Sequence, residues 1–218
     1  MNNKPVPLND KKDHAAVRIL VFSASLRKAS LNRQLAKLAA TFIREAGGVV
    51  DWAEMSDFLA PGFNQDEKDA HGFPPAIDTF VNRLAGNDAF VIASPENNSS
   101  IPGILKNTID WTSLFKPQPF NGMHGLLLSA SPSMVGGNRG LWALRIPLEY
   151  LGARIFPDMF SLALAHKAFT PDGQIADEQL SKRLVMTIRA FIELVEAVKQ
   201  YPCTKNEWVE NPGEKPYQ

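Results

Sequence analysis

Hydroxyl, amide and guanidinium groups are concentrated between Ser23 and Asn32. Ser25 and Ser30 supply hydroxyls, Asn32 supplies an amide and Arg27 supplies a guanidinium. Such groups, together with the free N–H groups at the start of a helix, suit a phosphate monoester. The segment lacks the glycine pattern of a dinucleotide site and the Gly-Lys-Ser/Thr ending of a triphosphate loop, which favours a monophosphate. The alternative is that Ser30 only caps the following helix and that Arg27 is solvated.

A second polar segment extends from Ser94 to Ser100. The side chains of Asn97 and Asn98 suit the hydrogen-bonding edge of a planar heterocycle, and Pro95 stiffens the loop. Glu96 is interpreted either as a partner for a ring N–H or a ribityl hydroxyl, or as a solvated surface carboxylate.

A third polar segment extends from Ala130 to Asn138 and contains the pair Gly136-Gly137. Because glycine has no side chain, this pair allows the backbone to approach a flat ligand closely. A plain turn is the alternative interpretation.

These segments are positioned by an alternation of apolar runs and helical periodicity. Strands are predicted at residues 17–22, 49–52, 88–93, 124–129 and about 153–156, with a resumption at 162–164 considered. Helices are predicted around residues 31–46, 77–84, 102–111, 141–151 and 180–195, with Pro102 in a first helical turn and residues 60–75 as an irregular loop. The alternation predicts an α/β fold: a doubly wound five-stranded parallel sheet with helices on both faces. The polar segments follow the first, third and fourth strands, so they should converge at one sheet edge.

The composition predicts one globular domain, at residues 17–200, between a flexible N-terminal tail (1–16) and a polar C-terminal tail (201–218). Lys plus Arg and Asp plus Glu both number 23 in the 218 residues, so the basic excess of a nucleic-acid-binding surface is absent. The single Cys203 excludes an intramolecular disulfide framework and, with no secretory signal or long apolar span, favours the cytoplasm and no membrane partner.

Other reaction classes find little support in the sequence. The 4 histidines show no metal-ligand spacing, so no metal site is predicted. No serine stands in a Gly-x-Ser-x-Gly elbow, which argues against a hydrolase.

Two of the polar segments carry a family pattern. Residues Ala24 to Asn32 match Gly-Ser-x-Arg-x-x-Ser-x-Asn with alanine in place of glycine. Residues Pro95 to Trp111 match Pro-Glu-Tyr-Asn-x-Ser-x-Pro-Gly-x-Leu-Lys-Asn-x-Ile-Asp-Trp, with Asn97 in place of tyrosine. On these motifs the chain resembles the flavodoxin-like NADPH-dependent FMN reductase family, which includes quinone, azo-dye and chromate reductases. Without the tyrosine ring at position 97, stacking on that flavin face should weaken.

The resemblance implies FMN as cofactor and NADPH or NADH as co-substrate. It assigns the FMN phosphate to Ser25, Arg27, Ser30 and Asn32. It assigns the isoalloxazine and ribityl chain to Pro95, Glu96, Asn97 and Asn98, and the other ring edge to Ser129, Ser131, Gly136 and Gly137.

The expected activity is hydride transfer through FMN to a small acceptor such as a quinone, an azo compound, chromate or free flavin. A ping-pong sequence without an essential catalytic residue is expected, because the cofactor carries the chemistry. The alternatives are a flavodoxin-like electron carrier and a non-catalytic flavin-binding or sensor protein. The resemblance also implies a homodimer or homotetramer, with residues 60–75, residues 111–121 and the helix after Gly137 as candidate contacts.

Overall fold

The computed structural model describes residues 16–200, in which a parallel sheet lies between two layers of helices. The strands are β1 (Arg18–Ser23), β2 (Val49–Trp52), β3 (Ala89–Ala93), β4 (His124–Ala130), β5 (Arg154–Ile155) and β6 (Phe160–Leu162). Their order is β2-β1-β3-β4-β5, and β6 also pairs with β4. Every pairing is parallel, so the predicted fold class is confirmed.

The fifth position of the sheet is shared by two short strands. β5 pairs with the first residues of β4, His124 and Gly125, whereas β6 pairs with its last three residues. Pro157, which has no N–H for a sheet hydrogen bond, lies between the two strands. The strand considered at 162–164 is therefore displaced: β6 spans Phe160–Leu162 and shares only Leu162 with it.

The helices are α1 (Leu31–Glu45), α2 (Gln65–His71), α3 (Pro75–Ala85), α4 (Gly103–Thr112), α5 (Asn138–Tyr150), α6 (Ala165–Ala168) and α7 (Glu178–Gln200), with a 3-10 turn at Met55–Phe58. Among the described helices, none, not even the 23-residue α7, combines the length and apolar character that a membrane span requires.

Two expectations about the helices are corrected. Residues 60–75 are not irregular throughout, because α2 forms within them between an Asn64 side-chain cap and Gly72 at φ 79°. α2 has no buried residue, so hydrophobic periodicity could not reveal it. Pro102 is the residue before α4 rather than part of its first turn.

The sheet separates two hydrophobic clusters, as continuous apolar strands require. On one face, Val21 of β1 packs in the cluster that includes Leu35 of α1 and Phe191 of α7. On the other face, Phe22 packs against Phe80 of α3, with ring centroids 5.9 Å apart. The side chains of neighbouring residues on one strand thus anchor helices on both faces. This packing holds the ends of β1, β3 and β4 side by side.

The predicted tails lie outside the described residues except for Ala16, and so do Cys203 and His14. The division of the chain into tails and one domain stays a prediction.

Candidate functional site

The three polar segments meet at the carboxyl edge of the sheet, the edge where its strands end. Because β1, β3 and β4 are adjacent and parallel, the loops that follow them border one another. They line a cavity of about 400 Å3, which we call the edge cavity. The predicted residues that line it are Ser25, Arg27, Ser30, Asn32, Pro95, Glu96, Asn97 and Ser131. Asn98, Ser129, Gly136 and Gly137 are not part of its lining.

The first loop leads into a helix N-terminus that favours an anion. The Ser30 hydroxyl accepts a hydrogen bond from the Arg33 N–H at 3.3 Å and so caps α1. The Ser25 hydroxyl accepts one from the Arg27 N–H at 3.4 Å. The first turn of α1 contains no acidic residue, so no side chain there offsets the positive end of the helix dipole. The Arg27 side chain is exposed at the cavity and has no acidic partner within residues 16–200.

Asn32 connects the first loop to the third. Its side-chain Nδ2 donates to the Ala130 carbonyl at 2.8 Å, and its Oδ1 accepts from the Ala130 N–H at 2.8 Å. The side chain is buried, and both ends of its amide are committed to this backbone. Asn32 therefore positions the wall formed by Ala130 and Ser131, and it also lines the cavity.

The second loop is a tight two-residue hairpin. The Asn97 N–H donates to the Ser100 carbonyl at 3.0 Å, and the Ser100 N–H donates to the Asn97 carbonyl at 2.9 Å. Between them, Asn98 and Ser99 have φ values of 50° and 61°, the left-handed pair typical of a type I′ turn. This turn places Asn97 at the cavity and Asn98 at the exposed tip of the hairpin.

The carboxylate of Glu96 holds the second loop against α5. Its Oε1 accepts hydrogen bonds from Arg139 Nε and Nη2 at 3.0 and 2.7 Å, and its Oε2 accepts from the Gly140 N–H at 3.0 Å. Burial raises the pKa of Glu96, but the hydrogen bonds from Gly140 and Arg139 outweigh it and the net pKa lies below the ordinary value. Neither Glu96 interpretation considered from sequence included this helix contact, since Arg139 lies 43 residues away and carries no local signal.

The glycines of the third loop approach the protein's own backbone and side chains. Gly137, at φ 85°, lies where a Cβ atom would come within 2.0 Å of the Ser129 hydroxyl oxygen. At Gly136, with φ 62°, a Cβ atom would come within 2.9 Å of the Ala163 nitrogen. Ser129 is fully buried, and its hydroxyl has no hydrogen-bond partner in the part of the chain that the structure describes. These close approaches place the start of α5 against β4 and β6.

Further lining residues were not singled out from sequence. Gly103 and Ile104, at the start of α4, contribute to the wall beside the second loop. Their only sequence signal is that they directly follow Pro102 in the family pattern. Leu26, which is half exposed, adds an apolar surface between Ser25 and Arg27.

Metal ligands and histidines do not contribute to the edge cavity. Within residues 16–200, no group of three or more His, Cys, Asp and Glu side chains could hold a metal ion. His124 is buried at the start of β4, the sheet edge opposite the cavity, and burial together with the charge of Arg154 lowers the pKa of its imidazole.

Comparison with known proteins gives one consistent result. A family model described as NADPH-dependent FMN reductase matches residues 17–167. The chain is 29% identical over 185 residues to a quinone reductase of Escherichia coli (strain K12), which covers 84% of this chain and 97% of that protein. It is 32% identical over 177 residues to the NAD(P)H-dependent FMN reductase PA1204 of Pseudomonas aeruginosa, with coverages of 80% and 93%.

Solved structures show the same fold. The flavoenzyme NAD(P)H:(acceptor) oxidoreductase FerB from Paracoccus denitrificans superimposes with a TM-score of 0.71 at 25% identity, covering 84% of this chain and 98% of that one. A flavodoxin from the domain Archaea superimposes with a TM-score of 0.51 at 8% identity over 82% of this chain and 99% of that one. The second similarity concerns the fold alone.

Proposed function

This chain belongs to the NADPH-dependent FMN reductase family and is an NAD(P)H-dependent flavin oxidoreductase, and we propose that it passes hydride through FMN to a small acceptor in a ping-pong sequence. The acceptors considered are a quinone, an azo compound, chromate and free flavin. The observation that carries the proposal is the convergence of three loops on one cavity with an anion-binding helix end on one side.

The residues of the edge cavity fit FMN. The volume of the edge cavity, about 400 Å3, is within the usual range of small-molecule sites. The N-terminus of α1, with Ser25, Arg27 and Ser30, would hold the phosphate. Asn97 and the wall of Ala130 and Ser131 would border the ribityl chain and the ring. When bound, FMN supplies the acceptance and donation of hydride.

The protein's own groups need not transfer protons. The ionisable side chains lining the edge cavity are Arg27 and Glu96. The lowered pKa of Glu96 keeps that carboxylate ionised at neutral pH and bound to α5. Glu96 is therefore not suited to donate a proton near neutral pH, in accord with a reaction that depends on binding and orientation.

The size of the cavity supports the ping-pong order. If FMN occupied the cavity of about 400 Å3, little room would be left there for a second bound molecule. The nicotinamide and the acceptor would then have to reach the cofactor one after the other.

We also propose that the protein is a cytoplasmic homodimer or homotetramer. The supporting feature is a stripe on α5, where Trp142, Ile146 and Tyr150 are spaced four residues apart and are 57%, 71% and 57% exposed. Large apolar side chains aligned on one helix face typically mark a protein contact. A second copy of the chain is the contact that the family resemblance suggests.

An absorbance spectrum of the purified protein, with added FMN and then with NADPH under anaerobic conditions, tests the assignment. We expect stoichiometric flavin, bleaching by NADPH and reoxidation by a quinone. Flavin that NADPH cannot bleach would instead indicate an electron carrier. Bleaching without reoxidation by any of the four acceptor classes would contradict the proposed transfer step, and failure to bind flavin would contradict the cofactor site.

A further inference from the structure

A second cavity adjoins the edge cavity on the far side of the first loop. It has a volume of about 460 Å3, and we call it the flank cavity. Ser25, Leu26 and Arg27 line both cavities and form the wall that they share. Lys28 and the segment 54–56 line the flank cavity alone.

The charges around the flank cavity do not balance. Its acidic lining residue is Glu54, which accepts hydrogen bonds from Arg33 Nε at 3.2 and 3.0 Å and from Trp52 Nε1 at 3.1 Å. The hydrogen bonds from Arg33, opposed by burial, hold the pKa of Glu54 below its ordinary value, so the pair is internally neutral. Arg27 and Lys28 are exposed and have no acidic partner within residues 16–200. The cavity therefore has a net positive wall that favours an anion.

The charged groups that line the flank cavity indicate which anion fits it. In the proposed function the start of α1 holds the monophosphate of FMN, and the other phosphate-bearing molecule in the reaction is the pyridine nucleotide. Its 2′-phosphate is a monoester with nearly two charges at neutral pH, whereas each of the two phosphates in its pyrophosphate bridge carries about one. Arg27 and Lys28, with the Ser56 hydroxyl in the same lining, complement the 2′-phosphate better than they complement a phosphate of the pyrophosphate bridge. Leu26 offers an apolar surface for the adenine.

We propose that the flank cavity binds the 2′-phosphate of NADPH, with Lys28 as the residue that selects NADPH over NADH. This inference rests on the proposed function, since it assigns the adenosine half of the co-substrate. With the nicotinamide at the edge cavity, the dinucleotide would extend across the wall that the two cavities share. Arg27 lines both cavities and would be placed to bind the FMN phosphate and the 2′-phosphate.

The substitution Lys28→Ala tests the assignment, with Lys37→Ala as its control. Lys37 is an exposed lysine of α1 whose charge acts on Glu54, but it lines neither cavity. Loss of one charge-assisted hydrogen bond should lower the ratio of kcat/KM for NADPH to that for NADH by about tenfold in Lys28→Ala. Lys37→Ala should leave the ratio unchanged. An equal loss with both nucleotides, or equal effects of the two substitutions, would overturn the assignment.

Calorimetry with 2′,5′-adenosine bisphosphate on the FMN-loaded protein separates this inference from the proposed function, because it needs no turnover. We expect binding that Lys28→Ala weakens about tenfold and Lys37→Ala leaves intact, with adenosine 5′-monophosphate binding more weakly than the bisphosphate. Absence of bisphosphate binding to a protein that oxidises NADPH contradicts the flank cavity alone. Lysine-dependent binding to a protein that oxidises neither nucleotide supports the cavity and contradicts the proposed activity.

Discussion

The Glu96 carboxylate, only 8% exposed, accepts hydrogen bonds from the Arg139 guanidinium and the Gly140 N–H, both on α5. Glu96 thus holds the second loop against α5, the helix that follows the third loop. Replacement by glutamine, Glu96→Gln, keeps the size of the side chain but removes the charge and turns one acceptor into a donor that faces other donors. We expect a loss of about 1–3 kcal/mol in the free energy of unfolding at neutral pH, with weaker FMN binding.

The stability that Glu96→Gln loses depends on pH and should shrink as the pH falls. The pKa of Glu96 in the fold is lower than its ordinary value of 4.5. Its contribution is therefore fully present above pH 4.5 and is lost as the pH falls through the lower folded pKa. Urea unfolding across this range should show the wild type and Glu96→Gln converging in acid. Glu45→Gln, at an exposed glutamate of α1, is the control and should unfold like the wild type throughout. A difference that stays constant as the pH falls would contradict this role of Glu96.

At the scale of elements, the Asn32 side chain is a link from α1 to the end of β4. Asn32→Ala removes both hydrogen bonds and leaves the buried N–H and carbonyl of Ala130 unpaired. We expect a loss of roughly 2–4 kcal/mol in the free energy of unfolding. Hydrogen exchange at the Ala130 amide should accelerate, and FMN titration should show weaker binding. Asn82→Ala, at an exposed asparagine of α3, is the control. Unchanged Ala130 exchange in Asn32→Ala would show that the link is dispensable.

The start of α5 depends on its close approach to β4. In Gly137→Ala the new Cβ atom would lie 2.0 Å from the Ser129 hydroxyl oxygen, at a residue with φ 85°. We expect a loss above the roughly 1–2 kcal/mol that a left-handed alanine costs. Adding Ser129→Ala removes the hydroxyl and should restore part of the stability, although the Ser129 Cβ would still be 3.0 Å away.

Thermal unfolding of Gly137→Ala, and of the double variant that also carries Ser129→Ala, measures the stability lost and the part restored. Gly62→Ala is the matched control, because a Cβ atom there would meet nothing within 4 Å and its φ is not positive. A double variant no more stable than Gly137→Ala would mean that the hydroxyl is not the obstacle.

At the scale of the whole molecule, the exposed stripe of α5 should govern assembly. Ile146→Glu places a charge in the middle of the stripe, and sedimentation velocity should show a smaller species than the wild type because a buried unpaired charge is strongly unfavourable. Met186→Glu on α7 is the control, since Met186 is 69% exposed and Ile146 is 71% exposed. A wild-type protein that sediments as a monomer, or an oligomer that Ile146→Glu leaves intact, would exclude this stripe as the contact.

The sequence by itself determined the sheet and the edge that carries the site. The apolar runs of β1, β3 and β4 indicate buried parallel strands, and parallel strands place the loops that follow them together. Short-range signals of this kind depend only on neighbouring residues. The cap at Ser30 is therefore visible in the printed chain, and so is Gly47, which follows the last residues of α1 at φ 89°.

The partners of individual side chains were decided only by the tertiary structure. Asn32 meets Ala130 across 98 residues, and Glu96 meets Gly140 across 44. The flank cavity likewise needs Lys28 beside the segment 54–56, which follows β2. Local pattern cannot specify such contacts, because they depend on how whole helices and strands pack. α2 could not be predicted for a different reason. None of its residues is buried, and a hydrophobic pattern reveals only helices that bury an apolar face.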